Sequence, residues 1–347
     1  MELTPVSGPC AWTGEEMRAR GGWLQRLGAA DIAEIEAALA VALASGRDIA
    51  ALRACDFPLP TLGPRLLGWR DEILDGRGFV QLRGLPVQRW TMREAATAWF
   101  GLGAHLGRAV TQNAGGHVLG HVRDLGLDAA DPNVRVYQTT ARQNFHTDSC
   151  DIVGLLCLRT ARSGGLSCIV SSAAIHNAML ATRPDLVAEL HKPMAIDRRG
   201  ERAADGRGWW TAAVFNRDGP LLTTIYTRRY IESAQRHADA PRLGEAAREA
   251  LDLFDALCED PRLRLDIAFE PGDVQLLCNH VILHDRTAYE DWPEPGRKRH
   301  LLRLWLCPPV GRPLPPEFAT RYGSVEIGAR GGVAPPGTPA VAPLEPA

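Results

Sequence analysis

The chain has 347 residues, with 39 Lys and Arg against 41 Asp and Glu and a formal net charge of −2. Apolar residues make up 45% and charged residues 23%, the balance of a globular chain with a real core, while the near-neutral, mixed charge excludes a dedicated nucleic-acid or polyanion binder. Its eight cysteines form no CxxC pair, which excludes a zinc ribbon.

The N-terminus "MELTPVSGPCAWTGEEM" carries acidic residues where a signal peptide needs basic ones. "IEAALAVALA" is too short to span a bilayer and contains a Glu. The expectation is a reduced, soluble, cytoplasmic protein with no membrane association, whose cysteines are mostly small buried hydrophobes.

In chain order, "AADIAEIEAALAVALASGRD" predicts a helix, with Asp31 as N-cap and Gly46 as stop. "LGPRLLGWRDEILDGRG" predicts a second, amphipathic helix, and "GFVQLRGLP" a strand. "TMREAATAWFGLGAHLG" predicts a third helix capped by Thr91, followed by a Gly-rich loop region. From about residue 134 the texture changes to short β-branched and apolar runs: "VRVYQTT", "DIVGLLCL", "LSCIVSS", "LLTTIY", "LRLDIAFEPGDVQLLCN" and "RHLLRLWLCPP". Two helical stretches, "SAAIHNAMLATRPDLVAELH" and "PRLGEAAREALDLFDALCED", interrupt them. Many strands with helical insertions fit a sandwich or barrel rather than alternating βαβ units. The Pro/Gly/Ala-rich end, 331–347, reads as disordered or loosely laid on the surface.

"QNFHTDSCD" places His146 and Asp148 two residues apart, on one face if the segment is a strand. Such a pair is a structural hydrogen bond, half of a proton relay, or two ligands of a metal. A third ligand is on offer in "CNHVILHDR", as His284 or its rival His280. Two His and one carboxylate make the facial triad of non-haem Fe(II) oxygenases, with coordination positions left open on one side. In "RKRHLLRLW", Arg299 and Arg303 lie four apart, about 13 Å along a strand. A guanidinium in an apolar interior calls for an anion. Ser167 of "SGGLS" offers a hydroxyl to share it.

"NFHTD", "SGGLS", "GDVQLLCNHVILHDR" and "RHLLRLW" together resemble the taurine dioxygenase (TauD/TfdA) family of Fe(II)- and 2-oxoglutarate-dependent oxygenases, from roughly residue 75 to 310. The resemblance implies an α+β, mainly β fold: a double-stranded β-helix, or distorted jelly roll, with helical insertions. It implies His146, Asp148 and His284 as iron ligands, and Ser167, Arg299 and Arg303 as residues serving 2-oxoglutarate, with Arg303 also placed for an anionic substrate group. One oxygenase domain is expected over 1–330, with a helical part to about 75, a jelly-roll core over about 76–312, and a tail from 331. The implied activity is oxidation, in the usual case hydroxylation, of a small molecule, with succinate and carbon dioxide released. Desaturation, ring formation, a non-catalytic 2-oxoglutarate binder, a zinc hydrolase on the same ligands, and a homo-oligomer stay open. Asn144 and Asn279 are expected to orient the ligands and Cys150 to pack. His105, His117, His121 and His300 are read as structural or surface residues, with His117 and His121 also able to face the pocket. Residues 197–216 are a candidate lid.

Overall fold

A computed structural model describes residues 3–129, 134–199 and 206–346. The first predicted helix runs Ala29–Ala44, but Gly28, not Asp31, is its N-cap. Asp31 stands three residues in and accepts from the Gly28 N–H at 2.9 Å, so the acid reaches back to a cap without a side chain. Leu62–Leu74 and Met92–Leu106 form the next two helices. Thr91 caps the latter in a reciprocal capping box with Glu94. The stretch expected as one helix from residue 172 is two, Ser172–Thr182 and Pro184–Leu190, because Pro184 biases Arg183 out of helical geometry. "VRVYQTT" is not a strand: Val136–Gln138 is a 3-10 turn. There Thr139 Oγ1 donates to Val136 O at 2.9 Å, and such local bonding competes with a sheet ladder.

Two main sheets organise the described residues. The larger has seven strands, ordered Leu24–Arg26, Phe79–Arg83, Val274–Cys278, Ile152–Arg159, His300–Cys307 and Arg108–Ala109, with Gly120–Val122 also on His300–Cys307. The smaller has four, ordered Leu265–Ile267, Ser167–Ser171, Ile282–Arg286 and Gln143–His146. All of these pairings are antiparallel except the first, Leu24–Arg26 with Phe79–Arg83.

The smaller sheet is buried on both faces, and the two-residue period sorts its side chains. Ile169, Ile267 and Ile282 join one core with Leu276, Leu302 and Leu304 of the larger sheet. Phe145, Cys168, Val170 and Leu283 join a second core with the helices behind. One of these, Glu245–Cys258, buries Ala247, Ala250, Leu251, Phe254 and Cys258, a single stripe at helical spacing. By the same alternation, His146 and His284 turn to the inner side, between the sheets.

The helix Met92–Leu106 covers the larger sheet through Trp99, which lies where a Cβ on Gly154 would come within 2.8 Å of the indole. That strand position therefore needs glycine for packing. The C-terminal segment is held rather than loose. Val341 and Gly116 are joined by a backbone bond, Val118 N donates to Val341 O, and Val333 N donates to Thr111 O. Arg330 is fully buried, donating to Asp151 and to the carbonyl of Arg312. Backbone hydrogen bonds need no apolar side chains, so composition alone could not reveal this docking.

Candidate metal centre

Gln143–His146 and Ile282–Arg286 pair antiparallel, with His146 and His284 as direct partners across the ladder. Their ring centroids lie 4.2 Å apart. The strand ends at His146, so Asp148 arrives from the following turn rather than from the strand itself. Thr147 N donates to Tyr226 O at 2.8 Å, and Asp148 N donates to Asn279 Oδ1 at 3.0 Å. Those two bonds fix the turn that presents the carboxylate. Asn279 therefore orients Asp148 as expected, whereas Asn144 contributes only its backbone carbonyl, which accepts from His146 Nδ1 at 2.8 Å.

One donor atom each from His146, Asp148 and His284 lies within 4.8 Å of the others, and among the described residues this is the group of His, Cys and acidic side chains arranged to hold a metal. Asp148 Oδ1 is 3.8 Å from His146 Nε2, and its Oδ2 is 3.8 Å from His284 Nε2. Those gaps are too long for direct hydrogen bonds and suit donors that share an ion. Because Asn144 O takes the Nδ1 proton, neutral His146 presents a lone pair at Nε2. His284 is pushed down to about 3, chiefly by burial and then by His146 beside it, so it stays neutral and able to ligate. Burial pushes the Asp148 carboxyl up, but Arg303, both imidazoles and the Trp305 indole hold it below the usual carboxylate range. Trp305 Nε1 donates to Asp148 Oδ2 at 2.9 Å. Two imidazoles and one carboxylate form the donor set of a facial triad, so the residues fit a divalent iron.

His280 does not join the group. It is buried with Nε2 on Asp151 Oδ1 at 2.8 Å, in the network that holds Arg330. Cys150 packs, giving its weak S–H to Ile152 O. His105 bonds Phe57 O, His117 bridges to Val341, and His121 pairs with His300. His117 and His121 thus tie down the C-terminal segment instead of lining a cavity.

Two cavities meet at the trio. The smaller, about 40 Å³, is lined by His146, His284, Ser167, Arg286, Arg299 and Arg303. Arg299 is 4% exposed, and its Nη1 has no hydrogen-bond partner among the described residues. Its guanidinium and that of Arg286 lie 5.2 and 4.7 Å from the ring centre of Tyr289. A buried guanidinium nitrogen with no acceptor is costly, and a carboxylate at that spot removes the cost. The glycine pair of "SGGLS" belongs to the same construction. Gly164 and Gly165 take φ values of 74° and 68°, and a Cβ on Gly165 would come within 3.1 Å of Arg299 Nε. Glycine there lets the backbone turn beside the arginine.

Ser167 is present in this cavity, but its hydroxyl donates to Gln275 Oε1 at 2.8 Å. Arg303 lines both cavities. Its Nε donates to Gln112 Oε1 at 2.7 Å and its Nη1 lies 3.8 Å from Asp148 Oδ2. A register shift between His300 and Leu301 breaks the simple alternation between the two arginines, and only Arg303 approaches the trio's carboxylate. The larger cavity, about 450 Å³, also takes in Arg199 and Trp210. Both belong to the candidate lid, of which 200–205 lies outside the described residues. Sequence reasoning missed Gln143, Arg286 and Trp305. Trp305 is two residues from Arg303 on the same strand, so the strand period was the available signal.

Residues 43–305 match the taurine catabolism dioxygenase TauD, TfdA family. The chain belongs to this family. It is thus an iron- and 2-oxoglutarate-dependent oxygenase. It is 30% identical over 332 residues to FR-33289 synthase of Streptomyces rubellomurinus, covering 94% of this chain and 97% of that one. It is 30% identical over 316 residues to a taurine hydroxylase-like protein of Stachybotrys chartarum, covering 86% and 81%. The mixed α/β fold is shared with a solved asparagine oxygenase in complex with Fe(II), 2S,3S-3-hydroxyasparagine and succinate, at a TM-score of 0.63 and 17% identity over 82% of this chain and 93% of that one. No helix among the described residues is long and apolar enough to cross a membrane.

Proposed function

We propose that this TauD-family oxygenase hydroxylates an unactivated C–H bond of a small, anionic molecule, with iron held by His146, Asp148 and His284. The observation that supports it most is the meeting of those three donors at the junction of a small arginine-lined cavity and a large one. Iron bound there, with 2-oxoglutarate and dioxygen, supplies the oxidising power for C–H hydroxylation, and succinate and carbon dioxide leave as coproducts.

The chain's own residues do the rest. Asp148 balances the metal's charge, and the two imidazoles leave the opposite side for other ligands. Arg299 receives the far carboxylate of 2-oxoglutarate, with Arg286 beside it. Ser167 assists only by turning its hydroxyl away from Gln275. Arg303, fixed by Gln112 and near Asp148, meets the keto acid end or an anionic group on the substrate. Trp210, Ile196 and Ile225 give the larger cavity an apolar side that excludes water from the reacting C–H bond. We also read the two sheets, sharing one core, as the halves of a distorted jelly roll, and residues 1–330 as one domain.

The test is an anaerobic titration of Fe(II) into protein with 2-oxoglutarate, followed by the iron–oxo acid charge-transfer absorbance, and then succinate release in air across anionic metabolites. His284→Ala should lose iron and His280→Ala should keep it. The opposite pair of results would reassign the third ligand. Iron and 2-oxoglutarate binding with no succinate for any compound would instead favour a non-catalytic 2-oxoglutarate binder.

A further inference from the structure

Of the three donors at the candidate metal centre, Asp148 alone stands outside a strand. Its place therefore depends on how the turn 148–151 is held, and each residue of that turn has a partner. Asn279 Oδ1 accepts from Asp148 N, and Asn279 Nδ2 reaches Cys150 Sγ at 2.9 Å. Ser149 Oγ accepts from Arg321 Nε at 2.8 Å. Asp151 closes the turn twice over. Its carbonyl accepts from Asn279 N at 3.0 Å, and its Oδ1 accepts from His280 Nε2 at 2.8 Å. The turn that carries Asp148 and the turn that carries Asn279 are thus latched together at Asp151.

Asp151 is 6% exposed, and it pairs with Arg330, which is 1% exposed. Arg330 Nη1 donates to Asp151 Oδ1 at 3.2 Å and its Nη2 to Arg312 O at 2.8 Å. Arg330 stands beyond residue 305, where the match to the family ends. The stretch "GARGG" is built to put it inside. Gly328, Gly331 and Gly332 take φ values of 82°, 91° and 96°, and a Cβ on Gly332 would come within 2.9 Å of Thr111 Oγ1. Glycine there lets the chain bend in and out around one long side chain. The arrangement is expensive. Two charges leave water, and Arg330 Nε has no hydrogen-bond partner among the described residues. A buried pair adds little net stability, but it does fix one geometry.

We propose that Arg330 is a positioning residue for the metal centre: acting through Asp151, and from there through His280 and Asn279, the C-terminal segment sets where the Asp148 carboxylate is presented. This rests on the reading of His146, Asp148 and His284 as the iron ligands, and it adds a residue on which one of them depends. Arg330 lines neither of the two cavities, so its influence does not pass through contact with a ligand in them. The influence falls on the carboxylate. His146 and His284 are direct partners on paired strands, and the ladder holds them without help from the C-terminal segment. With Arg330 neutralised, Asp151 loses its counter-charge in a buried place and must move or take a proton. Its hold on the Asn279 turn loosens, and Asp148 N loses a fixed acceptor.

The experiment measures the Mn(II) dissociation constant of the full chain by competition with a coloured chelator. Beside it are read the charge-transfer band of the anaerobic Fe(II)·2-oxoglutarate protein and the melting temperature of the metal-free protein. Arg330→Gln should weaken Mn(II) binding about tenfold and shift or broaden the band. Arg330→Lys keeps a cation for Asp151 but not the fork that also reaches Arg312 O, so it should fall between Arg330→Gln and the parent. Adding Asp151→Asn to Arg330→Gln should weaken the metal no further, because the two residues act as one. His121→Gln gives up the bond to Pro343 O and so loosens the same C-terminal segment elsewhere. It should lower the melting temperature while the Mn(II) constant and the band stay as in the parent. An Arg330→Gln variant that melts lower yet binds Mn(II) within about twofold of the parent overturns the proposal. An equal loss of metal in His121→Gln, or losses at 330 and 151 that add, overturn it too. Should Arg330→Gln not fold, Arg330→Lys decides, and parent-like metal binding there is the overturning result. A parent that binds neither Mn(II) nor Fe(II) removes the ligand reading and the proposal with it, whereas a parent that binds metal and an Arg330→Gln variant of unchanged affinity remove the proposal alone.

Discussion

Gln143 Nε2 donates to His146 Nε2 across 2.9 Å, and that ring nitrogen is the one turned towards Asp148. The amide thus occupies the lone pair that a metal would use. Metal binding has to displace it, at the cost of one part-buried hydrogen bond, about 0.5–1.5 kcal/mol. Gln143→Ala should therefore bind Fe(II) or Mn(II) a few-fold more tightly than the parent, measured by competition with a coloured chelator. Weaker binding would mean that the amide supports the ligand instead of competing with it.

In the proposed iron site, Asp148 would carry both the charge balance and one coordination position. Asp148→Ala should abolish metal retention and succinate formation. Trp305→Phe keeps an aromatic ring but removes the pyrrole half of the indole, and with it the N–H on Asp148 Oδ2. The loss of such an orienting partner should weaken metal binding by about 10–100-fold. Metal content after desalting, read by elemental analysis, separates the two variants.

The smaller cavity ranks its residues by what each already holds. Arg299→Gln should cost about 2–5 kcal/mol of 2-oxoglutarate binding. Arg299→Lys should recover little, because a planar fork becomes a point charge. Ser167→Ala should cost much less, since its hydroxyl is engaged with Gln275. Arg303→Ala should chiefly impair substrate-triggered turnover. Charge-transfer absorbance against 2-oxoglutarate concentration checks all four, and an Arg303→Ala variant that lost cosubstrate while Arg299→Gln kept it would exchange the two roles.

A buried relay sets an acid limit on stability. Arg159 Nη2 donates to His300 Nδ1, His300 Nε2 to His121 Nδ1, and His121 Nε2 to Pro343 O, over 3.1, 2.8 and 2.8 Å. Burial, and then His121 beside it, push His300 down to about 3, and burial also lowers His121. Both folded values lie below the ordinary histidine value, so the unfolded chain binds more protons as pH falls below about 6.5. The stability they allow is complete above that point and is lost progressively down towards pH 3. His300→Gln should flatten the melting temperature against pH in that window, at some cost in stability near neutrality. An unchanged slope would show that other groups dominate.

The fold and the site differ in how far they could be read from sequence. His146, Asp148 and His284 were recognisable because ligand chemistry restricts residue type and the motifs fall in order. Their meeting needed the cross-strand register of 146 with 284, which no local pattern encodes. The expected strand at 134–140 failed because Thr139 satisfies the backbone locally. Asp31 reads as a cap in the sequence because an N-cap acid and an acid three residues into a helix give the same short signal. Gln143 stood in plain view in the quoted motif, yet its direction depends on a rotamer, which sequence does not display.

The period-two sorting of the smaller sheet has an evolutionary consequence. Leu283 faces the helical core while His284, its neighbour, faces the candidate metal site. A one-residue insertion or deletion within Ile282–Arg286 would exchange them, removing a ligand and burying an imidazole among hydrocarbon in one event. Trp210 and Ile225, on the apolar side of the larger cavity, stand outside the strands that carry the two histidines. New substrates are therefore reachable through changes at those outer positions, one residue at a time, while the strand that carries His284 stays frozen in length.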